Sequence, residues 1–96
     1  MYDRIVTSKF KPEELDEATK IMRESIIPAQ KEQKGWKGTR VLIDREKSKI
    51  TALISWNTKE DAQKVAQEGF MKKQMAKISP YLTGEPTIEL CEVVID

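Results

Sequence analysis

Two strand-like runs, residues 36–44 and 49–57, flank a polar connection at residues 45–48 and predict a β-hairpin. If Ile43 lies opposite Ile50, Lys37 meets Trp56, and cross-strand neighbours share a face. One face is then almost entirely apolar: Thr39, Val41, Ile43, Ile50, Ala52, Ile54 and Trp56. The other face is mixed: Trp36, Gly38, Arg40, Leu42, Thr51, Leu53, Ser55 and Asn57. We expect the apolar face to pack beneath helices and the mixed face to need a cover of its own.

The flanking segments supply the helices and the outer strands. Residues 2–10 are rich in β-branched and aromatic side chains and predict a first strand. Apolar residues at helical spacing predict a helix over about residues 12–34, which Pro28 is expected to bend. A second helix follows the hairpin in two pieces separated by Gly69, and residues 87–95 predict the last strand. The order β-α-β-β-α-β predicts an α+β, ferredoxin-like fold with a four-stranded antiparallel sheet.

The length of the chain bears on how the mixed face is covered. Ninety-six residues form a single domain, residues 1–96, and so small a domain buries a limited share of its surface. A second copy of the same sheet is the simplest cover, which predicts a homodimeric α+β barrel with a partly solvated lumen. The alternative is an ordinary half-exposed sheet face that carries a few apolar residues.

Charge and composition exclude several classes of function. Seventeen basic residues against sixteen acidic ones give a net charge of +1, which argues against nucleic acid and against a polybasic membrane anchor. No apolar run is long enough to span a membrane, and one cysteine makes a cytoplasmic location the simplest expectation. The chain has no histidine, so a Ser-His-Asp triad and a histidine metal site are excluded, and no metal is expected.

Three segments carry a resemblance to a known family. In residues 26–38, a proline in the last turns of a helix precedes Gly-aromatic-x-Gly. In residues 54–62, Trp56 precedes the polar start of the next helix. Residues 78–94 form a Pro/Gly connection that leads into a strand with Glu-Val near its end. In this order the segments resemble the antibiotic biosynthesis monooxygenase (ABM) domain family of small dimeric α/β barrels. The resemblance implies a homodimer and, for the enzymes of that family, oxygenation of quinols or polyphenols without a cofactor. Haem-degrading relatives need a histidine that this chain lacks.

The candidate ligand-binding residues are those expected around the lumen: Trp36, Arg40, Leu42, Leu53, Ser55, Asn57 and Tyr81. The polyphenol oxygenases of the family use asparagine, tryptophan, tyrosine and arginine, which are residue types that this set contains. Arg40 suits a phenolate, Asn57 can donate to a developing oxyanion, and Trp36 can stack on a ring. Each has a structural alternative: a cross-strand ion pair for Arg40, a turn or cap for Asn57, and a core or interface position for Trp36. The catalytic residues stay unassigned.

Two functions are compatible with this sequence. The first is a cofactor-independent monooxygenase that acts on a small quinol or polyphenol. The second is a non-catalytic or stress-associated dimeric barrel that holds a small aromatic ligand. An enzyme needs a polar group beside a ring-sized cavity, whereas a binding protein needs only the cavity.

Overall fold

The computed structural model describes all residues from 1 to 96 and confirms the predicted α+β order. The strands are β1 (Tyr2–Lys9), β2 (Trp36–Asp44), β3 (Lys49–Trp56) and β4 (Thr87–Glu92). The α-helices are α1 (Leu15–Ile21), α2 (Ile27–Lys31), α3 (Lys59–Gln67) and α4 (Phe70–Ala76). Short 3₁₀ turns at Pro12–Glu14 and Ser79–Tyr81 lead into α1 and out of α4. No helix of the chain has both the length and the apolar character that crossing a membrane requires.

The four strands form one antiparallel sheet in the order β2-β3-β1-β4, which is open at β2 and β4. The predicted hairpin register is confirmed, because Ile43 lies opposite Ile50 and Thr39 lies opposite Ile54. The predicted pairing of Lys37 with Trp56 is wrong. A bulge between Trp36 and Gly38 inserts one extra residue, so Trp36 itself lies opposite Trp56. The bulge moves Trp36 from the mixed face to the face that the helices cover.

The first helical segment is irregular where a single helix was predicted. A π-helical segment, Met22–Ile26, separates α1 from α2, and Pro28 is the second residue of α2. Proline donates no backbone hydrogen bond, so the i→i−4 pattern cannot continue through it unchanged. The helix forms the wider turn of a π-helix instead. The distortion predicted at Pro28 is therefore present, but it lies on the N-terminal side of the proline, at Met22–Ile26. Met22 and Ile26 stay buried against the sheet.

The second helical segment begins and breaks where the sequence predicts. The Thr58 hydroxyl accepts a hydrogen bond from the Asp61 backbone N–H at 3.0 Å and caps α3. Gly69 has a φ of +79°, a left-handed conformation that few residues other than glycine adopt, and it separates α3 from α4. The strand predicted over residues 87–95 ends at Glu92 instead. The Val93 N–H donates to the Met1 carbonyl, where β1 begins, so the residues beyond have no strand to pair with.

Two apolar clusters hold the helices onto one face of the sheet. The first joins the N-terminal helical segment to β3 and the end of β1: Phe10, Leu15, Ala18, Met22, Ile26, Ile50 and Ile78. The second lies beneath α3: Val6, Ile54, Trp56, Ala62 and Val65. A cavity lies between the helices and the sheet, and residues of both clusters line it.

Candidate functional site

The face of the sheet that carries no helices holds four of the predicted ligand-binding residues. Arg40 lies opposite Leu53, and Leu42 lies two residues along β2 on the same face. Leu42 keeps 46% of its surface exposed, which is high for a leucine in a sheet. The Ser55 hydroxyl donates to the Asp3 carboxylate at 2.7 Å across β3 and β1. The structure brings these four residues together as an open, mixed surface, and their role in ligand binding stays a prediction.

The other three predicted residues lie elsewhere. Trp36 packs against the cluster beneath α3, on the covered face, because of the bulge in β2. Tyr81 belongs to the 3₁₀ turn after α4 and packs against the first apolar cluster, on the side of the sheet that the helices cover. Asn57 is exposed just after β3, and its backbone N–H donates to the Gly35 carbonyl at 2.7 Å. These three therefore do not share one site with Arg40.

A cavity of about 70 Å³ lies on the opposite face, between the sheet and the helices. Its wall is mostly apolar, and three methionines from the π-helical segment and α4 contribute to it: Met22, Met71 and Met75. A cavity of about 150 Å³ is known to hold one benzene ring, so a ring enters this one only if the wall yields. Methionine has three rotatable bonds and repacks easily, which makes this wall adaptable.

Five polar side chains interrupt the apolar wall: Arg4, Ser8, Gln30, Thr39 and Gln74. The indole of Trp56 adds a polar N–H group, and both Arg4 and Trp56 carry an N–H without a partner. Arg4 is 8% exposed and donates one guanidinium N–H to the Ala62 carbonyl at 2.9 Å, but its Nε is buried and unpaired. Trp56 is 2% exposed, and its indole Nε1 is also buried and unpaired. Buried polar groups are nearly always satisfied in native proteins, so two unpaired donors at one cavity indicate a place for an acceptor.

Two hydrogen-bonded groups hold the glutamines of the cavity wall. The Thr39 hydroxyl donates to Gln30 Oε1 at 2.6 Å and accepts from the Trp36 indole N–H at 2.9 Å. On the other side, Lys77 Nζ donates to Gln74 Oε1 at 2.7 Å. Each carbonyl oxygen already accepts one hydrogen bond, whereas no hydrogen bond within the chain uses either amide NH₂. The polar groups of the cavity therefore act mainly as donors.

Arg4 is the one charged residue of the cavity wall, and its burial has an electrostatic cost. Desolvation lowers the pKa of Arg4, because burial disfavours the charged form of a base. No carboxylate lies within salt-bridge distance of the guanidinium. Glu92, the one acidic residue on this face of the sheet, lies at the exposed end of β4 beside Leu90, the strand partner of Arg4.

Sequence reasoning missed these cavity residues, although two of them carried a signal. Gln30 lies four residues after Ile26, and Gln74 lies among Met71, Met75 and Ile78, so both occupy positions of the buried helical stripes. A polar residue in a buried stripe indicates a polar contact inside the core. Arg4 alternates along β1 with Tyr2, Val6 and Phe10, but an arginine in a strand is by default assigned to the solvent side.

Solved structures with the same architecture cover almost the whole chain. A conserved protein of Methanosarcina mazei aligns with a TM-score of 0.77 and 20% identity, over 95% of this chain and 91% of its own. A structure described as an antibiotic biosynthesis monooxygenase aligns with a TM-score of 0.76 and 18% identity, over 99% of this chain and all of its own. The chain has the ABM fold. Neither a protein-family model nor a curated protein matches the chain.

A third ABM-fold structure holds a ligand. It is a monooxygenase of Streptomyces coelicolor in complex with nanaomycin D, and it aligns with a TM-score of 0.74 over 99% of this chain and 91% of its own. Its identity to this chain is 10%, so it supports the shared fold and not a shared reaction. The resemblance inferred from the sequence is thus confirmed for the fold.

Proposed function

We propose that this ABM-fold protein binds a small quinol or polyphenol in the cavity between sheet and helices and oxygenates it without a cofactor. The observation that carries the proposal is an apolar cavity lined by two unpaired N–H donors, those of Arg4 and Trp56. An aromatic ring fits the apolar wall, and an oxygen substituent on the ring fits the donors. The relatives described as monooxygenases support the choice of reaction class.

The reaction must use electrons that the substrate itself supplies. A quinol that reacts with O₂ at a ring C–H gives a hydroxyquinone and water: one oxygen atom enters the ring and the other leaves as water. The electron-rich form of the substrate is its oxyanion, and donors fixed in a dry cavity stabilise that charge better than water does. In this scheme Arg4 and Trp56 bind the ring oxygen, and the apolar wall excludes water from the reacting carbon.

We also propose that the protein acts as a homodimer in the cytoplasm. Support comes from the exposed Leu42 on the open sheet face, where Leu53 is its diagonal neighbour on β3 and Ile5 lies opposite Leu53 on β1. A second sheet packed on this face would remove these side chains from water. The dimer face and the cavity lie on opposite sides of the sheet. The single cysteine, which forms no internal disulfide, fits a reducing compartment.

A second candidate, a non-catalytic binding protein, is favoured by one feature of the cavity. None of its wall residues is a carboxylate, histidine, lysine, tyrosine or cysteine that could take a proton from a quinol. Oxygen uptake measured with a panel of quinols, in parallel with binding titrations, separates the two candidates. Uptake that Trp56→Phe reduces supports the oxygenase, whereas tight binding of quinols with no uptake identifies the binding protein.

A further inference from the structure

We infer that the natural ligand of the cavity carries a negative charge, as a carboxylate or an ionised phenol, and that Arg4 binds this charge. The inference rests on the proposed ligand cavity and goes beyond it by naming the chemical class of the ligand. It starts from a charge that the protein itself leaves uncompensated. Arg4 is more than nine-tenths buried, and the only hydrogen bond of its side chain goes to a neutral backbone carbonyl, that of Ala62.

Isolated buried charges are costly, and proteins usually neutralise them with a paired group of opposite sign. Arg4 has no such group within the fold: the salt bridges of the chain join Arg45 to Asp16 and Lys64 to Glu68, all on the surface. Glu92 lies on the same face of the sheet, but it is exposed at the end of β4. An arginine stays charged at neutral pH even when burial lowers its pKa, so the missing negative charge is expected from a ligand.

The geometry of the sheet gives the anion a second contact. Arg4 lies opposite Ile54 on β3, and Trp56 lies two residues further along the same strand, so the two side chains are diagonal neighbours on one face. Each has one buried N–H without a partner, and both line the cavity. A carboxylate or phenolate oxygen accepts more than one hydrogen bond, so a single anionic group can satisfy both donors.

The absence of a proton acceptor in the cavity agrees with a charged ligand. A neutral quinol would have to lose its proton to one of the wall residues, and Arg4 is the only titratable residue among them. A ligand that is already ionised at neutral pH needs no such step. The apolar part of the ligand is small or flat, because a cavity of about 70 Å³ must enlarge through its methionines to take even one ring.

The test compares ligands of nearly equal shape that differ in charge. Calorimetric titration of the purified protein is carried out at neutral pH with benzoate against benzamide, and with 2-hydroxy-1,4-naphthoquinone, which is ionised, against 2-methyl-1,4-naphthoquinone. The first pair tests a carboxylate and the second an ionised phenol-like oxygen. In at least one pair the anion is expected to bind at least about tenfold more tightly than its neutral partner, as a hydrogen bond to a charged group requires.

Two variants and one control place the effect on Arg4. Arg4→Met keeps the length of the side chain and is expected to abolish the preference for the anion, while Arg4→Lys retains part of it. Glu92→Gln is the control and is expected to leave the preference unchanged. Thermal melts of each variant show whether it is folded. If Arg4→Met does not fold, the comparison of charged and neutral ligands on the wild-type protein still decides the question.

The outcomes separate this inference from the proposed function. Equal affinities for charged and neutral ligands would overturn the inference and leave the ligand cavity standing. A preference for the anion, together with no oxygen uptake from the quinol panel, would support the inference and refute the proposed reaction. Binding of none of the four compounds would overturn the inference, and the titrations with quinols decide separately whether the ligand cavity stands.

Discussion

Truncation of Ile54 tests the cavity and the packing of the sheet together. Ile54 is 6% exposed, belongs to the cluster beneath α3, and lines the cavity. Ile54→Ala removes three carbons, whose transfer to water is worth about 2.4 kcal/mol at about 0.8 kcal/mol each. Measured isoleucine-to-alanine changes span about 2–5 kcal/mol, and the larger losses come from sites that cannot collapse. Because part of the Ile54 surface already faces a cavity, we expect a loss of about 3 kcal/mol in the free energy of unfolding.

Urea denaturation followed by circular dichroism measures this loss, and a melt should show a fall of about 12–24 °C for a domain of this size. The matched control is Leu53→Ala, which removes the same number of carbons from the neighbouring residue on the open face of the sheet. We expect it to cost less than about 1.5 kcal/mol, because Leu53 is only half-buried in the isolated chain. Ile54→Ala should also bind bulkier rings more tightly than wild type, since it enlarges the cavity. Equal losses in the two variants, or a larger loss for Leu53→Ala, would refute the assignment of faces.

Three further predictions concern other parts of the molecule. Thr39→Val removes the hydroxyl between Gln30 and the Trp36 indole, and it should cost about 1–3 kcal/mol in urea unfolding because buried polar atoms lose their partner; an unchanged midpoint would contradict this. Leu42→Glu should convert a wild-type dimer into the 11.1 kDa monomer in sedimentation, and a wild type that is already monomeric removes the proposed dimer. Burial lowers the pKa of Arg4, so its charge destabilises the fold at neutral pH, and that penalty is relieved only as pH rises through the lowered pKa. The difference in unfolding free energy between wild type and Arg4→Met should therefore stay constant from about pH 6 to about pH 9, and a slope across that range would contradict the reasoning.

The fold was largely predictable because its signals are local and repeat along the chain. The hairpin register follows from two strands whose apolar residues alternate in step, so the pairing of Ile43 with Ile50 could be predicted from the sequence. Gly69 and Pro28 mark the two helical irregularities for simple steric reasons. The bulge between Trp36 and Gly38 was not predictable in this way. It adds one unpaired residue to β2, and no residue type in this segment marks the position of the addition.

The site was much less predictable, because it depends on which face of each strand the helices cover and on which buried polar atoms stay unpaired. Arg40 and Arg4 are both arginines in strands among apolar neighbours, and nothing in their immediate sequence separates an exposed one from a buried one. The structure separates them: Arg40 is exposed on the open face, whereas Arg4 lies beneath α3 and contacts the Ala62 carbonyl. Burial and partners together show that Arg4, unlike Arg40, is a buried charge with no carboxylate within salt-bridge distance.

The low identity between this chain and other ABM-fold structures has a physical basis. Packing onto the sheet requires apolar side chains of suitable volume in alternating positions, and many sequences satisfy that condition. The chemistry of the cavity depends on a few donors set among those side chains, and these can change without loss of the fold. In this chain the unpaired donors are those of Trp56, which belongs to the second apolar cluster, and Arg4, whose strand partner Ile54 belongs to it. The fold therefore places a cavity between sheet and helices, and we propose that the charge of Arg4 on β1 determines which ligand that cavity accepts.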